Sequence, residues 1–179
     1  MLQEDMLLQL ALSIHRLPFE TRKDTQLIIL NAFRYKHPNH SASEPPALHH
    51  VITKQPEIII ALCNGYDRRE SAMQCGGILR EALKYDAIAA LILYDEPNTN
   101  GRPLVLPDID PQMPSSGKGI FWKFFEWIDK GPFEVSADAL KTFRVMRKIR
   151  CLNSRDSNIN FSSGSAYTAQ ATRRDIFTD

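Results

Sequence analysis

Residues that could bind a nucleotide occur in the segment SSGKG at residues 115–119. A phosphate loop of the GxxxxGK type surrounds phosphates with backbone N–H groups and places a Ser or Thr hydroxyl directly after the lysine. The first glycine of that pattern would stand at Gln112, and Lys118 is followed by Gly119. We therefore expect a loop here and no nucleotide site.

A second stretch carries oxygen-bearing side chains at the spacing of a calcium loop. Glu96, Asn98 and Asn100 precede Gly101, as in the first half of such a loop. The bidentate Glu that completes the calcium shell would be Pro107. This stretch therefore predicts a turn and no calcium site.

The histidines cluster in sequence at His37, His40, His49 and His50. No cysteine or carboxylate completes a zinc spacing around them. The chain contains Ser, His and Asp residues, as a Ser-His-Asp catalytic triad would require, but no serine lies in a nucleophile-elbow context. The sequence thus predicts no catalytic, metal-binding or cofactor-binding residue, no cofactor and no enzyme, and it leaves the partner-binding residues unassigned.

One charged stripe could bind an acidic partner, or could simply be a solvated helix face. Its basic residues lie near the end of a predicted helix, where positive charge complements the helix dipole. They are Lys141, Arg144, Arg147, Lys148 and Arg150. The three cysteines, Cys63, Cys75 and Cys151, are odd in number and widely spaced, which indicates reduced thiols in a cytosolic protein.

Composition excludes several partner classes. The 179 residues carry a net charge of +1, which gives no electrostatic reason to expect nucleic acid or an anionic membrane. No apolar run approaches the roughly 20 residues that a membrane span needs. The first residues lack the features of a signal peptide. We therefore expect a cytoplasmic protein.

Apolar residues recur at helical spacing along most of the chain, and no segment alternates over the length of a strand, so we predict an all-α fold. Two segments break the pattern: an irregular insertion at residues 95–119 and a tail at 151–179 that we expect to be disordered. The predicted helices span residues 1–17, 21–35, 47–53, 56–64, 70–83, 86–93, 120–128 and 133–149.

The helix at residues 70–83 is the centre of the predicted core. Gly76 and Gly77 lie in its middle, where each costs about 1 kcal/mol relative to Ala, so we expect a neighbouring helix to approach closely there. Gly65 is expected to end the preceding helix, as glycine commonly does at a helix C-terminus. The residues predicted to be buried are Leu79, Leu83, Ile92, Phe125 and Leu140. The aromatic helix is expected to turn Phe121, Phe124, Phe125 and Ile128 to one face.

The chain also repeats weakly. PFETRKD at residues 18–24 matches PFEVSAD at 132–138, and the central helix begins between them, near Ser71. A period of about 40–47 residues is typical of armadillo and HEAT repeats. Residues 1–150 are therefore predicted to form armadillo-like helical repeats.

Three long strings, in the same order, resemble one known family. They are LPFETRKD, NGYDRRESAMQCGGILREALKYDAIAALIL and SSGKGIFWKFFEWIDKGPFEVSADALKTFR. Over residues 7–144 the chain resembles the calcium-binding protein 39 family, and the 95–119 excursion is similar to its fungal branch, the conidiophore development proteins of the HymA type.

The resemblance implies an armadillo-like solenoid that acts as a non-catalytic scaffold. Its implied partner is a kinase of the germinal-centre type or a pseudokinase, which it holds in an active conformation, in a cell-polarity and morphogenesis pathway. Members of the family carry further helices before Met1 and further repeats after Arg144, so this chain is expected to be truncated at both ends. The alternative is a fragment or gene-model product with no independent binding function.

Truncation predicts apolar residues at both ends of the solenoid that no neighbouring repeat covers. We expect Leu7, Leu10 and Ile14 to be exposed at one end, and Phe143 and Met146 at the other. Exposed apolar patches promote self-association. The chain is therefore expected to form oligomers through its uncapped ends.

Overall fold

A computed structural model describes residues 6–36, 45–95 and 117–155, and these are helical without any strand. Two short 3₁₀ turns, Ile14–Arg16 and Gly65–Asp67, accompany the α-helices. The α-helices are α1 (Met6–Ser13), α2 (Phe19–Arg34), α3 (Pro46–Thr53), α4 (Glu57–Asn64), α5 (Arg69–Ala82), α6 (Asp86–Leu93), α7 (Ile120–Lys130) and α8 (Phe133–Arg155).

The all-α prediction is confirmed, and each predicted helix has an observed counterpart. Prolines set several of the boundaries. Pro18 immediately precedes α2, Pro46 stands in the first turn of α3, and Pro132 separates α7 from α8. Proline suits these positions because its fixed φ fits a helix start and its missing N–H is not needed there.

The helices form repeats of three, the arrangement of a helical-repeat solenoid. Helices α3, α4 and α5 make one complete repeat, and α6, α7 and α8 make the next. Equivalent helices of successive repeats pack side by side: α2 against α5 and α5 against α8, α1 against α4 and α4 against α7, and α3 against α6. The longest helix of each repeat therefore contributes to one continuous layer, formed by α2, α5 and α8.

The core lies between this layer and the α1, α4 and α7 helices. Leu79, Leu83 and Ile92 are fully buried in it, as predicted. Leu140 is only partly buried, and the prediction for Phe125 is wrong, because its side chain is 40% exposed.

The aromatic helix α7 presents a different face to the core from the predicted one. Ile120, Phe124 and Trp127, spaced by four and three residues, are buried. Phe121 and Phe125 turn instead toward Phe143 of α8, with ring centroids 5.9 Å and 5.2 Å away. Phe125 therefore belongs to an aromatic cluster at the edge of the fold.

The expectation for the solenoid ends is wrong in part. Ile14 and Met146 are buried, and Leu7, Leu10 and Phe143 are partly buried. The reason is that α1 packs on α4 and the turn after it reaches α5, while α8 packs on α5 and α7. Other large apolar side chains are exposed, and they are Met6, Leu12, Phe19, Leu27, Ile28, Tyr35, Met73 and Phe133.

Gly65 ends α4 as predicted, although its φ of −58° is not the left-handed conformation that is common at helix ends. It also opens the turn Gly65–Asp67. A Cβ at this position would lie 2.3 Å from Sγ of Cys75. Glycine is therefore needed at position 65 because α5 approaches the backbone there.

The insertion and the tail are mostly outside the described residues. Positions 96–116 of the insertion and 156–179 of the tail are not described. Helix α8 continues to Arg155, a few residues into the segment that the sequence assigns to the tail.

Candidate functional site

The layer formed by α2, α5 and α8 is held by polar contacts at each joint. Near the start of both helices, the guanidinium of Arg22 in α2 donates to the backbone carbonyl of Glu70 in α5. Near their ends, Arg34 pairs with Glu81 at 2.8 Å. The start of α2 contacts the start of α5, and the end of α2 contacts the end of α5, so the two helices run parallel.

The Glu81 carboxylate accepts hydrogen bonds from two cationic side chains at the α2–α5 joint. The hydrogen bond from Arg34 is the main cause that lowers the pKa of Glu81, and Lys84, whose Nζ lies 2.7 Å from the other carboxylate oxygen, also lowers it. Together they hold this pKa at about 2 against the opposing effect of burial. The hydrogen bond to Glu81 in turn raises the pKa of Arg34. The joint therefore depends on an ionised Glu81.

The joint between α5 and α8 has one exposed and one buried ion pair. Arg69 binds Glu134 at 2.8 Å where both helices begin, and both side chains are more than half exposed. Farther along both helices, Nη1 of Arg80 donates to Oδ2 of Asp138, also at 2.8 Å, but the Asp138 side chain is only 2% exposed. These two pairs make α5 and α8 parallel as well.

The buried pair belongs to a larger cluster, which we call the buried polar cluster: Tyr66, Arg80, Asp138 and Thr142. The Tyr66 hydroxyl donates to Oδ2 of Asp138 at 2.8 Å. Since that hydroxyl has a single proton, the Thr142 hydroxyl, also 2.8 Å away, donates to the Tyr66 oxygen. Thr142 then accepts from Arg80 at 2.9 Å. The cluster joins the turn before α5 to α5 itself and to α8.

Burial, and then the nearby Asp138 carboxylate, raise the pKa of Tyr66 far above its usual value. A phenol in this setting stays protonated, so it serves as a hydrogen-bond donor and not as an acid–base catalyst near neutral pH. The second carboxylate oxygen, Oδ1 of Asp138, is buried without a hydrogen-bond partner among the described residues. The cluster is thus a structural joint between repeats.

Gly76 makes room for the buried polar cluster. A Cβ there would lie 1.8 Å from Oδ2 of Asp138 and 2.3 Å from the Tyr66 hydroxyl. The predicted close approach of a neighbouring helix at this glycine is therefore confirmed. At Gly77 the nearest neighbour is the terminal amide of Gln26, from α2.

The outer face of the layer is open. Met73 lies on the side of α5 opposite the buried Cys75 and Ala82, and its side chain is 48% exposed. Lys84, in the turn after α5, and Lys141, on α8, contribute exposed basic side chains. Sequence reasoning did not single out Met73, because one exposed methionine in a helix carries no pattern of its own.

Most of the motifs weighed in the sequence lie outside the residues that the structure describes. Lys118 is exposed ahead of α7, whereas Gln112, the calcium-like residues 96–107, His37 and His40 lie outside the described residues. His49 and His50 lie on α3. Within the described residues no three His, Cys, Asp or Glu side chains are grouped closely enough to hold a metal ion.

Cys63 and Cys75 are buried free thiols. Burial is the main factor that raises the pKa of Cys63 well above its usual value and that of Cys75 to about 12. Such thiols are largely protonated and poorly nucleophilic. Cys151 lies on α8, where its side chain is not described.

The predicted basic stripe lies on α8. Lys141, Arg144 and Arg147 are exposed, and the side chains of Lys148 and Arg150 are not described. The stripe therefore reaches the outer face of the layer at Lys141 and continues along the exposed side of α8.

A sequence profile of Mo25-like proteins matches residues 1–149. The chain belongs to the Mo25-like family. This family consists of non-catalytic, scaffold-type proteins with a helical-repeat solenoid fold. In this chain, the helical repeats that contain α2, α5 and α8 form such a solenoid.

Relatives in fungi and animals share this region. The conidiophore development protein hymA of Emericella nidulans is 52% identical over 145 residues, covering 80% of this chain and 38% of the relative. MO25-like protein 2 of Caenorhabditis elegans is 27% identical over 160 residues, covering 87% and 39%. The calcium-binding protein 39-like protein of Homo sapiens is 24% identical over 139 residues, covering 78% and 33%. The matched region thus spans between a third and two fifths of these relatives.

None of the helices described here is long and apolar enough to span a membrane.

Proposed function

We propose that this chain is the part of a scaffold that binds a protein serine/threonine kinase of the germinal-centre type, or a pseudokinase, and helps to hold it active. Membership of a family of scaffold-type proteins supports this proposal. The proposed setting is a cytoplasmic cell-polarity and morphogenesis pathway. The name of the hymA relative, which refers to conidiophore development, supports that setting.

The observation that carries the proposal is the outer face of the α2–α5–α8 layer. Three parallel helices, fixed to each other by ion pairs at 2.8 Å, form a continuous surface. Met73 lies at its centre, and Lys141 borders it. Methionine is one of the residues enriched at protein interfaces, and the rims of such interfaces are polar.

The layer also explains how binding could act on a kinase without catalysis. A partner that contacts α5 and α8 together binds a surface whose geometry is set by the buried polar cluster, so little ordering is needed on the scaffold side. A rigid surface favours the one conformation of the kinase that fits it, and this shifts the population toward that conformation.

Binding can be measured with purified kinase domains of the germinal-centre class and a pseudokinase domain, by biolayer interferometry against the immobilised chain. We expect Met73→Glu to weaken binding at least about tenfold, because it places a charge in the centre of the interface. Leu12→Glu is the matched control: Leu12 is 50% exposed but lies on α1, outside the layer. Kinase activity toward a generic substrate, with and without the chain, tests activation.

The alternative is that these repeats have no independent binding function. It is motivated by the coverage of the relatives, whose remaining sequence could supply the main contacts. The same experiment decides between them. If the folded chain binds neither probe at micromolar concentration, or if Met73→Glu and Leu12→Glu weaken binding equally, the proposed surface is wrong.

A further inference from the structure

The outer face of α5 contains a glycine that the packing of the chain does not require. Gly77 lies in the middle of α5, where glycine lowers helix stability relative to alanine. Among the described residues, a Cβ at position 77 would meet only the end of the Gln26 side chain, whose Nε2 would be 2.4 Å away. This amide is the flexible end of a long side chain and can turn aside. Alanine would therefore fit at position 77, in contrast to position 76.

Two exposed apolar side chains, Leu27 of α2 and Met73 of α5, lie on the same side of the layer. Leu27 and Arg34 are seven positions apart, a spacing that returns to the same face of a helix. Met73 and Lys84 are eleven positions apart, which also returns to the same face. Because Arg34 and Lys84 both bind Glu81, Leu27 and Met73 face the same way.

A shallow trough lies between these two apolar side chains. Leu27 follows Gln26, the residue that reaches Gly77, and is 56% exposed. Met73 stands one turn before Gly77 on α5 and is exposed as well. We call this surface, with Leu27 and Met73 at its sides and Gly77 at its floor, the α2–α5 trough. Its centre is apolar, and only the Gln26 amide covers the α5 backbone there.

The two ends of the α2–α5 trough carry opposite charge. At the ends of the helices, Arg34 and Lys84 share the single carboxylate of Glu81, which leaves one positive charge in excess. At their starts, Glu70 is exposed, and Arg22 donates to its backbone carbonyl and not to its carboxylate. The other charges nearby cancel one another, and they are Glu20, Arg22, Lys23 and Asp24. Glu70 therefore leaves one negative charge in excess, about 21 Å along α5 from Lys84.

We propose that the α2–α5 trough binds an amphipathic helix of the partner, which lies antiparallel to α5 and places one large apolar side chain over Gly77. This inference rests on the proposed function, because it specifies the segment by which the partner contacts the outer face. The partner helix carries acidic residues in its first turn, over Lys84, and basic residues in its last turn, over Glu70. Those charges also complement the dipole of the partner helix itself.

Glycine at position 77 has a physical role in this contact. Without a Cβ on α5, the apolar anchor of the partner can pack directly on the α5 backbone once the Gln26 amide turns aside. Leu27 and Met73 then cover the sides of the anchor. A large side chain that is fully buried at the centre of an interface commonly supplies most of the binding energy.

Two synthetic peptides of the same composition test the charge pattern. Each has about 18 residues, a leucine anchor in the middle and a staple on its outer side, so that both are helical. The first peptide carries glutamates in its first turn and lysines in its last turn, and the second carries them in reverse order. By fluorescence anisotropy against the full 179-residue chain, the first peptide should bind at least about fivefold more tightly.

Gly77→Ala separates binding from stability. It should weaken binding of the first peptide at least about tenfold, because a methyl group then stands where the anchor packs. The melting temperature should stay at or above that of the original chain, since alanine fits and favours the helix. Gln9→Ala, at an exposed position of α1, is the control and should leave peptide binding unchanged. A Gly77→Ala variant that binds the first peptide as tightly as the original chain overturns the proposal.

Glu70→Lys tests the orientation of the bound helix. The first peptide should lose at least about fivefold in affinity, because its basic last turn then meets a lysine. A third peptide, with glutamates at both ends, should bind Glu70→Lys at least about fivefold more tightly than it binds the original chain. Glu126→Lys, at an exposed position of α7, is the control and should change neither affinity. If Glu70→Lys leaves the first peptide's affinity unchanged, the helix does not lie in this orientation and the proposal is wrong.

The kinase-class and pseudokinase probes distinguish this inference from the proposed function. If such a domain binds and Gly77→Ala weakens its binding as it weakens that of the first peptide, both are supported. If a domain binds but the peptides do not discriminate, the inference is wrong and the proposed function stands. The inference is also wrong if neither peptide binds at roughly 500 μM, a concentration that reveals weak interfaces. Discriminating peptide binding without binding of either domain supports the helix site and contradicts the proposed partner.

Discussion

The hydroxyl of Tyr66 and the carboxylate of Asp138 lie 2.8 Å apart although 72 positions of sequence separate them. Tyr66 belongs to the turn that precedes α5, and Asp138 belongs to α8 of the following repeat. Arg80 completes the contact from the far end of α5. This hydrogen bond therefore fixes the position of one repeat on the next, and the outer face of the layer depends on it.

The two ion pairs of the α5–α8 joint allow a matched test of how burial changes the contribution of an ion pair to stability. Both have a 2.8 Å separation, but the Asp138 side chain is 2% exposed and that of Glu134 is 53% exposed. Asp138→Ala should lower the free energy of unfolding by about 3–5 kcal/mol, because it leaves the Arg80 charge and the Tyr66 hydroxyl unpaired. Glu134→Ala should leave the free energy of unfolding nearly unchanged, as expected for a surface pair. Urea melts measure both; equal losses would show that Asp138 is not a buried joint.

The adjacent glycines of α5 should respond in opposite directions to the same substitution. Gly76→Ala places a methyl group against Asp138 and Tyr66, which the buried polar cluster holds in place, so we expect a loss of roughly 2–4 kcal/mol. Gly77→Ala meets only the flexible amide of Gln26 and gains helix propensity, so its effect should lie between zero and about 1 kcal/mol of stabilisation. Thermal melts by circular dichroism compare the two, and a Gly76→Ala variant as stable as Gly77→Ala would contradict the packing at position 76.

The helices could be predicted from the sequence because each has an apolar stripe and a proline or polar break beside it. The two PFE segments correctly indicated a repeat, since they begin α2 and α8. The glycine pair in the middle of α5 also predicted correctly that a neighbouring helix packs closely there, because glycine in mid-helix lowers helix stability unless close packing requires it. These signals are local, and local signals are what a single sequence contains.

The face of α7 could not be predicted because the helix offers two acceptable stripes. Phe121 and Phe125 have helical spacing, and so do Ile120, Phe124 and Trp127. The choice depends on the partners: Tyr66 packs on Phe124 at 5.7 Å between ring centroids, while Phe143 of α8 packs on Phe125. Tertiary contacts of this kind are absent from the pattern of one helix.

The buried polar cluster could not be predicted for a related reason. Asp138 appears in the sequence as one acidic residue near a helix start, where an exposed carboxylate would be equally suitable. Its burial follows from Arg80 and Tyr66, which come from another repeat. Asp24 ends the matching segment of α2 in the same way as Asp138 ends that of α8, but Asp24 is exposed, so the repeated residue does not indicate burial.

The corrected core assignment gives a prediction of its own. Leu79 is fully buried at the centre of α5, so Leu79→Ala should cost about 2–5 kcal/mol. Phe133 is exposed at the start of α8, so Phe133→Ala should change the free energy of unfolding by less than about 0.5 kcal/mol although it removes more atoms. Denaturant melts with a shared m-value test the pair. A larger loss at Phe133 than at Leu79 would mean that the α5 face is assigned incorrectly.

Acid should weaken the joint between α2 and α5 through Glu81. The carboxyl has a pKa of about 2 in the folded chain, below its ordinary value near 4.5, because Arg34 and Lys84 donate to its charged form. A pKa that is lower in the folded state stabilises the fold above the ordinary value, and this contribution is lost as the pH falls from about 5 toward 2.

We expect the Glu81 contribution to be about 1 kcal/mol, because Arg34 and Lys84 are more than half exposed and solvent screens the pair. The measurement is the free energy of unfolding from urea melts between pH 5 and pH 2.5, for the original chain and for Glu81→Gln. Glu81→Gln should be less stable at pH 5 and should approach the original chain as the pH falls. Parallel curves over the whole range would show that Glu81 does not titrate at this joint. Glu57→Gln, a substitution at the start of α4 and outside the joint, controls for the loss of one negative charge.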